Sequence, residues 1–137
     1  MDSWSTTNEA VRTPKAPAAI GPYNQAIQAG EWLFVSGQLP IDPESGQLVD
    51  GPIETQVTQI LHNIEAILQA AGAALGDVVK TTIFVTDLAL FDRVNQAYGA
   101  LLREPLPARS TVQVAALPKG APVEIEAIAR IGGGRHQ

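Results

Sequence analysis

Pro107-Ala108-Arg109-Ser110-Thr111-Val112-Gln113-Val114, followed closely by Leu117-Pro118-Lys119-Gly120-Ala121-Pro122-Val123-Glu124-Ile125-Glu126-Ala127-Ile128-Ala129, reads as two strands around a Pro/Gly turn. In the second strand Val123, Ile125, Ala127 and Ala129 face one way, and Glu124, Glu126, Ile128 and Arg130 the other. Two carboxylates therefore fall on one side of an otherwise apolar strand. In the first strand Arg109, Thr111 and Gln113 share a face, opposite Ser110, Val112 and Val114. A guanidinium presents a planar fork that gives a carboxylate two parallel hydrogen bonds, so Arg109 is a candidate anion holder. Glu124 is a candidate for handling a water and a proton beside it. On pattern alone, a structural Arg–Glu pair or a solvated strand edge is the more economical account of the same residues.

Working outward, Asp87 suits a helix cap and precedes a helix expected over about 88–102, striped by Leu88, Phe91, Val94, Tyr98, Leu101 and Leu102. Tyr98 lies on that stripe and reads as core. A strand rich in Val, Thr and Ile is expected over 77–85. Before it, Ile53, Val57, Ile60, Leu61, Ile64, Ile67, Leu68 and Ala71 form the apolar stripe of a helix over about 53–71. Asp50 or Gly51 can cap that helix, Pro52 suits its first turn and Gly72 its end. His62 falls on its polar side and reads as a surface residue. Strands are expected near 23–29 and 32–37, with another possible start at 9–13. Trp32 and Phe34 face one side of the strand near 32–37, Leu33 and Val35 the other. Both faces are apolar, so both call for a cover. The strand near 77–85 is apolar on both faces too. Two helices can cover one face of a sheet, and the chain has no third helix. A second copy of the protein is the expected cover for the other face.

The order of strands, helix, strand, helix and two strands makes an α+β layer, one sheet with two helices. The chain has 137 residues, enough for one domain with a real core. Residues 9–131 are expected to form it, with flexible tails at 1–8 and 132–137. Hydrophobic residues make up 45% and charged residues 17%, which argues against disorder. A net charge of −5 argues against nucleic acid as the main partner. The absence of cysteine excludes disulfides, thiolate nucleophiles and Cys-based metal sites. His62 and His136 are too few and too far apart for a metal cage. Neither an apolar signal core nor a run long enough to span a membrane is present, so a soluble cytoplasmic protein is expected.

The strand pair resembles the signature of the RidA/YjgF family of reactive-intermediate (enamine/imine) deaminases. Three earlier pieces match as well: Ala18-Ala19-Ile20-Gly21-Pro22-Tyr23, Val35-Ser36-Gly37-Gln38 and Asp77-Val78-Val79-Lys80-Thr81-Thr82-Ile83-Phe84-Val85. The match runs from about Glu9 to Ile131 in family order. The resemblance implies a chorismate-mutase-like fold, a single mixed sheet with both helices on one face. It also implies a homotrimer with a site in each cleft between neighbours.

For the site, the resemblance implies that Arg109 grips a substrate carboxylate and that Glu124 stands beside the reacting carbon and a water. Tyr23 lines the pocket, Ser36 stands at its wall with Gly37 beside it, and Thr111 occupies a position often held by cysteine. The implied reaction is hydrolysis of short 2-imino acids to 2-keto acids and ammonia, with no cofactor and no metal. A non-catalytic module that binds or senses small carboxylates is the alternative. A chorismate-mutase-like enzyme is a third, on fold analogy alone. Ribonuclease activity is also attached to the family, and the acidic balance and lack of paired histidines speak against it here. Glu126 shares the face of Glu124 and reads as structural or as a member of an interface ion pair. Leu101–Pro107 is shorter than in many relatives, and Leu106 stands where an aromatic residue often precedes Pro-Ala-Arg-Ser, so pocket size is open.

Overall fold

A computed structural model of the chain describes residues 8–131. Of the expected tails at 1–8 and 132–137, residues 1–7 and 132–137 lie outside the described residues. The elements follow as β1 (Glu9–Val11), β2 (Ala26–Ala29), β3 (Trp32–Gln38), α1 (Ile53–Ala70), β4 (Val78–Val85), α2 (Phe91–Leu101), β5 (Ala108–Gln113) and β6 (Val123–Arg130). The six strands form one sheet in the order β1-β2-β3-β6-β4-β5. Only β4 and β5 pair in parallel, because α2 carries the chain from the end of one back to the start of the other. The mixed sheet with two helices is the expected α+β layer.

The last two strands, read from the sequence as lying around a Pro/Gly turn, do not pair with each other. After β5 the chain passes a short turn at Pro118–Gly120, where Lys119 and Gly120 take positive φ of 60° and 70°. It then skips β4, and β6 inserts between β3 and β4. Burial explains the position. Val123, Ile125, Ala127 and Ala129 are all 3% exposed or less. An edge strand could not shield such a row, whereas a central strand under two helices can.

Alternation places Leu33, Val35, Thr81, Ile83 and Val85 on this same inner face. The α1 stripe from Ile53 to Leu68 packs there, joined by Val94, Ala97 and Tyr98 of α2, in one continuous core. Helix α1 ends one residue before its expected limit, and Gly72 with φ of 79° closes it. Its N-cap is Pro52, with no side-chain capping bond, so neither Asp50 nor Gly51 caps it. The second helix begins as a 3₁₀ turn at Leu88–Leu90, capped by Asp87 through Ala89 N at 2.9 Å. Arg93 donates two hydrogen bonds of 2.8 Å to Glu54 and ties the helices together. Those bonds hold the Glu54 carboxyl at about 2. Strand β2 starts at Ala26 rather than near Tyr23, because Tyr23 N bonds back to Gly21 O at 2.8 Å in a tight turn. His62 is exposed.

Among the described residues the outer face has no such cover. Trp32, Phe34 and Val112 are 39%, 46% and 42% exposed. Among the described residues no helix is long and apolar enough to cross a membrane.

The long link from β3 to α1 is fastened by one side chain. Asn63, 1% exposed, donates to Ile41 O at 2.9 Å and more weakly to Leu39 O at 3.4 Å, and accepts from Gln59 Nε2 at 2.9 Å. Asn63→Ala should leave those carbonyls unserved and cost about 1–3 kcal/mol of stability. Urea unfolding at fixed protein concentration checks this as a lower midpoint with an unchanged slope. A change below about 0.5 kcal/mol would show that solvent replaces the amide.

Candidate active site

Arg109 and Thr111 open β5, an edge strand, and alternation turns both toward α2. The guanidinium carbon of Arg109 stands 5.2 Å from the Tyr98 ring centre and 5.4 Å from that of Phe91. It makes no ion pair among the described residues. Burial keeps Tyr98 neutral by raising its pKa, against the opposing pull of a hydrogen bond to Thr81 and the nearby Arg109 charge. Asn95 lies four residues after Phe91 and three before Tyr98, so it shares their side of the helix. Its Oδ1 is buried without a hydrogen-bond partner, and so is Thr111 Oγ1. A buried acceptor with nothing to accept from is costly and rare in a finished structure. Two such atoms, on the side of α2 and the face of β5 that also carry Arg109 and its ring contacts, mark a polar corner suited to an anionic ligand with N–H or O–H groups.

Glu124 lies on the outer face, where β3 is irregular. Val35 pairs with Ala127 and Gln38 with Ile125, so Ser36 and Gly37 together stand opposite Glu126 alone. This is a β-bulge, a device that re-aims side chains. Gly37 leaves room for the Glu124 side chain. A methyl group on Gly37 would overlap its Oε2, lie 2.8 Å from its Cδ and 3.2 Å from its Cγ. Ser36 Oγ donates its one proton to Asn24 O at 2.6 Å, which leaves its lone pairs to accept. Burial raises the Glu124 pKa, and the Glu126 charge raises it further. Glu126 itself is exposed and makes no ion pair among the described residues. Tyr23, 48% exposed, and Gly37 share a cavity of about 30 Å³ with Ile20, Gln38 and Ile41. That space suits a water and is too small for a keto acid. The Tyr23 loop is anchored by Gln25, whose amide bonds Thr13 N and O, Ala16 O and Pro17 O at 2.7–3.2 Å.

The two halves do not meet within one chain. Arg109 pairs with Thr81, which points inward, and Glu124 pairs with Phe84, which points outward. Strand β4 separates them, so their backbones are roughly 14 Å apart and their side chains leave opposite faces. The expectation that Glu124 works directly beside Arg109 fails for a single chain. Tyr23, Ser36, Gly37 and Glu124 cluster at the β3–β6 bulge, and Arg109 and Thr111 cluster against α2. No group of three or more His, Cys, Asp and Glu side chains that could hold a metal occurs among the described residues.

Residues 13–131 match the family model described as Endoribonuclease L-PSP. The chain belongs to the RidA/YjgF family. It is 49% identical over 125 residues to the mouse (Mus musculus) 2-iminobutanoate/2-iminopropanoate deaminase, covering 91% of this chain and 93% of that protein. The crystal structure of RidA from the Antarctic bacterium Psychrobacter sp. superposes with a TM-score of 0.87 at 50% identity, covering 90% of this chain and 99% of that one. TdcF of E. coli, solved with bound serine, gives 0.85 at 40% identity over 90% of this chain and 99% of its own. The six-stranded sheet with its two helices is therefore the fold of solved RidA/YjgF proteins.

Asn95 is the candidate site residue that sequence reading passed over. The signal was present: a polar residue between Phe91 and Tyr98 on a helix side otherwise read as core. Tyr98 is core as expected, but its ring also lies against Arg109.

Proposed function

We propose that this protein hydrolyses short 2-imino acids, such as 2-iminobutanoate and 2-iminopropanoate, to 2-keto acids and ammonia. One observation carries the reading. A forked cation without an ion pair lies between α2 and β5, on the sides of those elements that carry two buried, partnerless polar atoms, while a carboxyl of raised pKa stands over a glycine on the opposite sheet face. A cleft between copies brings such halves together. One copy supplies Arg109 with Thr111 and Asn95, and its neighbour supplies Glu124 with Tyr23, Ser36 and Gly37. The bare outer face, with Trp32, Phe34 and Val112, supports assembly, and we assign it to a homotrimer.

The chemistry needs positioning and proton transfer. Arg109 holds the substrate carboxylate. Asn95 Oδ1 accepts a hydrogen bond from the iminium N–H. Glu124 takes a proton from water as the water oxygen bonds to the imine carbon. The resulting carbinolamine receives that proton on nitrogen, Glu124 takes the hydroxyl proton as the C–N bond breaks and the C=O bond forms, and the nitrogen departs as ammonia, leaving a 2-keto acid, with that last proton released as ammonium. No oxidant or reductant enters the balance. The raised pKa of Glu124 suits a group that both takes and returns a proton.

The test couples a PLP-dependent threonine dehydratase to this protein and follows keto-acid formation. Faster appearance of 2-oxobutanoate in its presence is expected. The bound serine of TdcF favours a second reading, a module that only binds small carboxylates. Tight 2-oxobutanoate binding with no acceleration would select it. Gly37→Ala should lower the rate about a hundredfold, because its methyl displaces the Glu124 carboxyl. An unchanged rate would remove Glu124 from its place over the bulge.

A further inference from the structure

The surroundings of Arg109 do more than pack it. Its guanidinium carbon is within cation–π reach of both Phe91 and Tyr98, at 5.4 and 5.2 Å. The two rings stand seven residues apart on α2, two helical turns on one side. They differ in setting. Tyr98 is 5% exposed, and its hydroxyl is locked to the Thr81 hydroxyl at 2.6 Å. Phe91 is 38% exposed and sits on the first helical turn, so burial in the core does not account for it. A further clip fixes helix against strand. Gln113, on the same face of β5 as Arg109, accepts a hydrogen bond from Leu88 N at 2.8 Å, just before α2.

We infer that Phe91 and Tyr98 are positioning residues for carboxylate recognition. They hold the Arg109 guanidinium in one plane, so that its fork is set before a ligand arrives. An arginine on an open strand edge has several rotatable bonds and must lose that freedom on binding. An arginine already laid on two rings has lost it. Tyr98, anchored through Thr81, forms the fixed floor. Phe91 is the exposed ring that keeps the guanidinium from swinging toward solvent. This inference rests on the reading of Arg109 as the carboxylate holder.

The experiment compares the wild-type protein, Arg109→Ala, Phe91→Leu and Phe91→Tyr. It reads the Kd for 2-oxobutanoate, the stable product, and KM and kcat for 2-iminobutanoate generated in place. Thermal unfolding of each variant is followed alongside. Phe91→Leu removes the ring face but stays apolar at a partly exposed position. It should weaken 2-oxobutanoate binding and raise KM about three- to tenfold, with kcat and thermal midpoint unchanged. Phe91→Tyr should restore both values, because the ring returns. Arg109→Ala should abolish binding. If Phe91→Leu binds like wild type while Arg109→Ala does not, the cradle is overturned and the carboxylate holder stands. If Phe91→Tyr is as weak as Phe91→Leu, or if kcat falls with Kd unchanged, the ring does not act through the arginine and the inference is overturned. If Arg109→Ala binds like wild type, the reading beneath it falls.

Discussion

Arg109→Ala is expected to lose about a thousandfold in kcat/KM for 2-iminobutanoate while keeping its fold. The size follows from the bond. A guanidinium–carboxylate fork in a partly buried setting is worth several kcal/mol once one partner is truncated. The side chain is replaceable for stability, because it makes no ion pair among the described residues and its strand is held by the β4 ladder. Keto-acid release is the measurement, with circular dichroism to show the fold. Near-normal activity would remove the carboxylate-holding role. The opposite-face geometry adds a sharper form of the test. Arg109→Ala and Glu124→Gln should each be inactive alone. Mixed oligomers of the two should regain about a quarter of the sites by random assortment, since one copy lends the arginine and the next the glutamate. A mixture as dead as its components would mean that both groups act from one chain.

Glu124→Gln carries the second large effect. Loss of a positioned proton acceptor should lower kcat by about 10²- to 10⁴-fold. Glu126→Gln should keep most of the activity and shift its pH dependence. The sign follows from the charge pair. Burial and the Glu126 charge both raise the Glu124 pKa. The base must be ionised to work, so activity falls as pH drops through that pKa. Removing the Glu126 charge lowers it, and the acid limb should move to lower pH. Stability should respond in the opposite sense to catalysis. An acid whose folded pKa is raised is destabilising when ionised, so Glu124→Gln should be no less stable than wild type near neutral pH. That difference should vanish as acid protonates the wild-type carboxyl. A larger activity loss in Glu126→Gln than in Glu124→Gln would exchange their roles.

What the sequence makes readable here is local. The α1 stripe, the alternation in β6 and the Asp87 cap all depend on neighbours within a few residues, and each appears in the structure as the pattern says. Pairing between strands is not local. Nothing in Pro107–Val114 states that β4 will lie between it and the next strand, because a hairpin and a skipped connection share the same turn residues. The face of each candidate residue follows from alternation, but comparing the faces of Arg109 and Glu124 needs the sheet order. Asn95 was hidden for a related reason. A polar residue beside aromatic ones on a helix is an ordinary boundary position until the strand opposite supplies a cation.

The β3 bulge has a consequence for how this protein can vary. Leu33 and Val35 turn inward, and so does Gln38, because two residues between them stand against one on β6. The arrangement is a matter of counting rather than of chemistry. Dropping one residue from that stretch would return the ladder to plain alternation and close the gap into which Glu124 leans, whatever amino acids remained. Substitutions can drift around this corner one at a time, but a change in its length has no gradual route.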